Sequence, residues 1–194
     1  MKDGTPSSPA SPPDTLVRPG SGRGSYSSLV RIGTGWQTCK QQTAVGDCNS
    51  DGKNALLAVR PDGKTYFYLG PGTGRRHGPR RVVASGWNAY TEIAPVCDYD
   101  GNGTDDVVFH KKDGTLWLRT GLAKRAGSPW FSAARKMGSG GWNGCYRILG
   151  ASDFNRDRKA DMLVTESDGS AWFYASMQFK DAGAVESGVY TDKL

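Results

Sequence analysis

Asp98-Tyr99-Asp100-Gly101-Asn102-Gly103-Thr104-Asp105-Asp106 places oxygen-bearing side chains at loop positions one, three, five and nine. Short acidic and amide side chains at that spacing, with glycine at position six, suit a hard cation. Calcium takes six to eight oxygen ligands, and a tight loop can fold such side chains and one backbone carbonyl around it. The frame recurs as Asp47-Cys48-Asn49-Ser50-Asp51-Gly52-Lys53-Asn54-Ala55 and as Asp153-Phe154-Asn155-Arg156-Asp157-Arg158-Lys159-Ala160-Asp161. An EF-hand is excluded, because its loop needs a bidentate Glu at position twelve and those positions hold Ala58, Phe109 and Val164.

Working outward, each loop sits in a larger fixed unit. A Trp stands eleven residues before each first Asp (Trp36, Trp87, Trp142), and an Asp-Gly pair begins fifteen residues after it (Asp62-Gly63, Asp113-Gly114, Asp168-Gly169). An aromatic stands four residues after the Asp of each pair: Tyr66, Trp117, Trp172. The unit-to-unit distance changes from 51 to 55 residues while every internal spacing is kept, so length variation is confined to the link after the last aromatic. A period of this size indicates a supersecondary unit that buries its apolar face by stacking on its neighbours.

Local patterning gives the unit four strands. A short apolar segment such as Glu92-Ile93-Ala94-Pro95-Val96 precedes the loop, and Leu56-Leu57-Ala58-Val59, Val107-Val108-Phe109 or Met162-Leu163-Val164 follows it as a buried β-branched run. The Asp-Gly pair then predicts a tight hairpin, because both of its residues tolerate positive φ. Thr115-Leu116-Trp117-Leu118-Arg119 illustrates the third strand. A fourth, such as Arg81-Val82-Val83-Ala84-Ser85-Gly86-Trp87 or the stretch from Arg135 to Trp142, leads into the next Trp. Four short antiparallel strands per unit make a propeller blade.

Composition agrees. The 194 residues include 27 Gly and 10 Pro at 37% apolar content, which favours short strands joined by turns over long helices. No apolar stretch approaches the roughly 20 residues of a membrane span, so a soluble chain is expected. Residues 1–25 are rich in Pro, Ser and Gly and read as a disordered tether without the apolar core of a signal peptide. Residues 26–194 read as the repeat domain, with units at about 29–79, 80–134 and 135–190. Four cysteines lacking any CxxC pattern argue against zinc and for two disulfides in an oxidising exterior. Three pairings are open, with Cys39–Cys48 and Cys97–Cys145 preferred.

These motifs together resemble the FG-GAP/VCBS repeats of integrin-α-like β-propellers, in the type that accompanies bacterial secreted proteins. The resemblance covers about residues 29–175 and implies an all-β, propeller-like array of three four-stranded blades, with a partial fourth, and calcium held structurally in two to three loops. Carried over position by position, the second loop supplies Asp98, Asp100, Asn102 and Asp106 with the Thr104 carbonyl. The third supplies Asp153, Asn155, Asp157 and Asp161 with the Lys159 carbonyl, but Arg158 replaces the position-six glycine, where a side chain adds strain and positive charge. The first supplies Asp47, Asn49 and Asp51 with the Lys53 carbonyl, and Ala55 leaves it without the last carboxylate. An Asx-turn explains Asp and Asn at the early positions without any ion, though not the acid at position nine.

Two features outside the loops are candidates for a ligand surface. The repeat-locked aromatics fit packing between blades, which leaves the irregular Tyr90, Trp130 and Tyr146 as the better ligand-facing rings. Arg75, Arg76, Arg80 and Arg81 surround His77 in the link between the first two units, and planar guanidinium groups suit anionic polymers. No nucleic-acid recognition motif accompanies the net charge of +6. His77 and His110 lack a recognisable nucleophile context, so no catalysis is expected. Three units fall short of the four to eight of a closed propeller. The Ala184–Tyr190 tail is then expected to begin a fourth unit or to supply a closing strand, and a second copy or a partner chain could complete the ring. The expected function is a secreted, calcium-stabilised, lectin-like or adhesive module for extracellular carbohydrate or protein. The alternative is a structural or accessory domain of a secreted enzyme or complex.

Overall fold

The computed structural model describes residues 14–18, 21, 23–70, 77–123, 129–138, 140–149, 153–175 and 188–190. It is all-β. A two-stranded sheet pairs β1 (Asp14–Val17) with β2 (Val30–Thr34). Three four-stranded antiparallel sheets follow, each in simple meander order. The first contains β3 (Gln41–Gly46), β4 (Ala55–Val59), β5 (Thr65–Leu69) and β6 (Arg80–Ala84). The second contains β7 (Tyr90–Pro95), β8 (Val107–Lys111), β9 (Leu116–Arg119) and β10 (Arg135–Gly138). The third contains β11 (Cys145–Ile148), β12 (Met162–Glu166), β13 (Ala171–Ala175) and β14 (Gly188–Tyr190). No helix among the described residues is long and apolar enough to cross a membrane.

The sheets are blades, and their first strands face one another: β7 contacts both β3 and β11. Period-two alternation drives the stacking. Leu57, Val59 and Phe67 point from the first blade into a cluster that receives Val107, Phe109, Trp87 and Phe131 from the second. Val108, lying between Val107 and Phe109, points the other way and joins Leu116, Leu118 and Met137 against Met162, Val164 and Trp142 of the third. Val107, Val108 and Phe109 are all fully buried, as expected of a strand covered on both faces.

Glycine sets two of the corners. Gly35, Gly86 and Gly141 take φ of 78°, 76° and 88° and open one-turn 3-10 helices at Trp36–Thr38, Trp87–Ala89 and Trp142–Gly144. Each turn drops its Trp between blades, leaving it 4–9% exposed. In the hairpins the Gly of each Asp-Gly pair is the residue that takes positive φ (83°, 77° and 86°). The Asp contributes differently: Asp62, Asp113 and Asp168 each accept the amide two residues on, at 3.0, 3.0 and 2.8 Å. The turn is therefore an Asx-stabilised one closed by a left-handed glycine.

Three expectations change. Asp14–Val17, read as part of a tether, forms β1. The strand leading into each Trp pairs with the preceding blade as its outer strand, so the sheets divide at the Trp and not at residues 80 and 135. Of the two roles open to the tail, the strand β14 takes the closing one, pairing with β13 and completing the third blade. No disulfide joins the cysteines. Cys39 and Cys48 flank β3, and a six-residue strand separates its ends by roughly 20 Å, against the 7 Å or less between Cα atoms that a disulfide requires. Cys97 follows the end of β7 whereas Cys145 opens β11, which puts them at opposite ends of neighbouring strands.

Candidate metal centre

Each acidic loop turns the corner between the first and second strands of a blade. The same backbone shape repeats in all three. Positions four and six take positive φ: 58° and 76° at Ser50 and Gly52, 74° and 85° at Gly101 and Gly103, 64° and 68° at Arg156 and Arg158. Two arginines thus stand in a conformation that favours glycine.

In the second loop the side chains converge. Carboxylate oxygens of Asp98, Asp100 and Asp106 lie within 4.8 Å of one another, the only acidic cluster of this kind among the described residues. Asp98 accepts the Asn102 and Gly103 amides at 2.9 Å each. Asp106 is fully buried and accepts Tyr99 and Gly121 amides at 2.8 Å. Thr104 Oγ1 sits between Asn102 Oδ1 and the Gly121 carbonyl, 2.7 Å from the latter. Burial pushes the Asp106 carboxyl up to about 7, helped by the nearby Asp100 charge and opposed by its amide donors. Crowded carboxylates of this type fit a divalent ion, whose charge removes both the repulsion and the desolvation penalty.

The other two loops are drawn less tightly. In the third, Asp153 accepts the Arg158 amide at 3.0 Å, and buried Asp161 accepts Phe154 and Asn155 at 2.8 and 3.2 Å. Asn155 Nδ2 donates to Asp157, and Asp157 accepts the Lys159 amide at 2.9 Å. In the first, Asp47 accepts the Asp51 and Gly52 amides at 3.0 and 2.7 Å, and Asp51 accepts that of Lys53 at 2.9 Å. Asn49 is 6% exposed, and its Oδ1 is buried without a donor. A buried acceptor without a donor, in a loop that also holds Asp47 and Asp51, has the chemistry of a cation ligand, so the first loop fits an ion better than its missing position-nine acid implies. Where that acid is present it closes its own loop through backbone amides, giving it a structural use the spacing alone does not reveal.

Sequence reading missed the link between the first two loops. Asp47 N donates to Asp105 Oδ2 at 2.6 Å and Asp105 N to the Asp47 carbonyl at 3.0 Å, across 58 residues. Gly46 makes room for this contact, since a Cβ there would meet Asp105 Oδ2 at 1.8 Å. The one sequence signal nearby is a glycine eight residues after the hairpin Asp, Gly70 and Gly121. A Cβ at either would strike a loop backbone oxygen, of Asn54 at 2.1 Å or of Asp105 at 2.4 Å. Cys48 is fully buried in this junction and donates to the Val45 carbonyl at 2.8 Å. Burial and the Asp105, Asp106 and Asp47 charges push its thiol up, so it stays protonated and inert.

The remaining candidates scatter. Tyr90 and Trp130 are each 8% exposed and pack on Phe109 and Phe67 at ring separations of 4.5 and 5.1 Å. They are core residues, because the blade interface needs large rings, and they present no platform to a ligand. Tyr146 is 66% exposed. Arg80 and Arg81 are exposed on β6, with Arg80 stacked 4.6 Å from the Tyr66 ring centre. Arg75 and Arg76 lie outside the described residues. His110 Nδ1 is 2.8 Å from Thr91 Oγ1.

Residues 47–109 match the family described as FG-GAP-like repeat. That span takes in the first two loops, the first hairpin and β8. No curated protein and no solved structure matches the chain.

Proposed function

We propose that this FG-GAP repeat chain is a secreted, calcium-stabilised, non-catalytic module that binds an extracellular carbohydrate or protein. The observation that carries the proposal is the convergence of Asp98, Asp100 and Asp106 within a blade corner. Carboxylates there serve the fold, and the ion's role is to pin the corner. Loops of this oxygen-only type suit calcium, and secretion enters the proposal from the family resemblance. Catalysis finds no support, since the acids that sequence reading singled out are engaged by loop amides and His77 and His110 stand apart from them. Stacked blades present extended surfaces assembled from loops, the arrangement by which repeat proteins bind partners. A second copy or a partner chain that adds blades is the accompanying proposal for assembly.

A glycan array probed with and without chelator tests the binding role, and light scattering of the same samples reports assembly. Calcium-dependent retention on defined glycans is the expected outcome. Absence of any retention by a chain that still melts cooperatively would sink the carbohydrate half of the proposal.

A further inference from the structure

A cavity of about 440 Å³ opens between the β2 segment and the first blade, lined by Trp36, Thr38, Arg60, Tyr68, His77 and Arg80 among others. Among the described residues its lining contains no acidic one. Arg60 Nη1 donates to Thr38 Oγ1 at 2.9 Å, and among the described residues neither Arg60 nor Arg80 forms an ion pair. Trp36 and Tyr68 rings meet at 4.5 Å, and both approach the His77 ring, at 5.9 and 6.1 Å.

The second blade shows what this position does when it only packs. Gly78 N donates to the Leu69 carbonyl as Ser132 N donates to that of Thr120, which aligns His77 with Phe131. Trp36 meets His77 as Trp87 meets Phe131, at 5.6 Å. Phe131 is 6% exposed and belongs to the core between the first and second blades. In the first blade the ring is an imidazole whose Nδ1 and Nε2 are both buried without a hydrogen-bond partner. Two unsatisfied ring nitrogens are expensive where a phenyl ring serves packing, and the ring forms part of the cavity wall together with Arg60 and Arg80.

We propose that this cavity binds an anionic pyranose, a sugar residue carrying a carboxylate or a sulfate ester. The volume falls in the lower range of small-molecule sites. Arg60 and Arg80 supply planar donors that match either anion in paired fashion. Burial holds the His77 imidazole below its ordinary value, so the ring is neutral, and a sugar hydroxyl that settles against it would supply the partner its buried nitrogens lack. Tyr68 and Trp36 give the sugar an apolar wall. This assignment rests on the carbohydrate-binding reading and gives it a location and a ligand class.

Calorimetric titration of the full chain with glucuronic acid, glucose 6-sulfate, glucose and inorganic sulfate tests it. At least one acidic sugar should bind, about tenfold or more tighter than glucose or sulfate alone, the loss expected when a charge-assisted contact is missing. His77→Phe reproduces the packing of the second blade and should keep the melting temperature while weakening that binding about tenfold or more. Arg60→Gln, on the cavity wall, should do the same. No binding of either acidic sugar, equal binding of glucose or sulfate, or unchanged affinity in both variants would overturn the proposal. If wild type and His77→Phe are retained equally on a glycan array, the site is wrong and the carbohydrate reading stands. If wild type is retained by no glycan, the reading itself fails and takes the site with it.

Discussion

Single residues decide the loop corners through charge and through the space around a missing Cβ. Asp98 donates no packing, yet both of its carboxylate oxygens hold loop amides beside Asp100 and Asp106. Asp98→Ala should lower the response to calcium. At 100 times the dissociation constant one ion stabilises by about 2.7 kcal/mol, so wild type should melt higher in calcium than in chelator and the variant should show a smaller difference. Equal calcium shifts in the two proteins would count against the site. Gly46→Ala is a second test at this scale. Its φ is 63° and its Cβ would enter Asp105, so separation of the first two loops should cost about 1–3 kcal/mol in denaturant unfolding. A loss below the error of the measurement would show that the Asp47–Asp105 link is not needed.

At the scale of elements, the innermost strands are tied by a carboxylate in a poorly solvated place. Glu92 on β7 accepts the Ile148 amide of β11 at 2.9 Å, and Arg147 lies 3.7 Å from it. Burial raises the Glu92 carboxyl above its ordinary value, with the Ile148 amide and Arg147 opposing the shift. The sign follows from linkage: the folded chain holds this proton more tightly than the unfolded one, so stability falls as pH rises from the ordinary value through the raised one. Glu92→Gln keeps an acceptor for Ile148 and removes the titration. Urea midpoints followed upward in pH from the ordinary carboxylate range should fall with pH in wild type and fall less steeply in the variant. Parallel curves would mean that Glu92 does not control the β7–β11 contact.

For the whole molecule, stability depends on blades burying one another, and the middle blade is covered on both sides. Val107 and Phe109 serve one cluster and Val108 the other. Hydrogen exchange should therefore find the slowest amides in β8, with β12 and β13 opening earlier, as expected of repeats whose stability is a sum of neighbour contacts. Faster exchange in β8 than in β12 would contradict this coupling. Phe109→Ala should cost about 3–5 kcal/mol, since its ring is fully buried and packs on both Trp87 and Tyr90.

The blade repeat was legible because its signals are short-range. Loop acids bond amides within seven residues, hairpin Asp bonds the amide two residues on, and Gly-Trp corners and period-two strands are likewise settled by nearest neighbours. Backbone sterics and local hydrogen bonds act over such distances whatever the rest of the chain does, so spacing alone determined the strands, corners and blade type. Contacts between blades were decided only by the tertiary structure. Asp47 meets Asp105, Tyr90 and Trp130 turn inward, the cysteines stay apart, and His77 lines a cavity where Phe131 faces core. Each depends on which faces are brought together by strands roughly fifty residues apart, and one blade's sequence does not carry the shape of the surface that stacks on it.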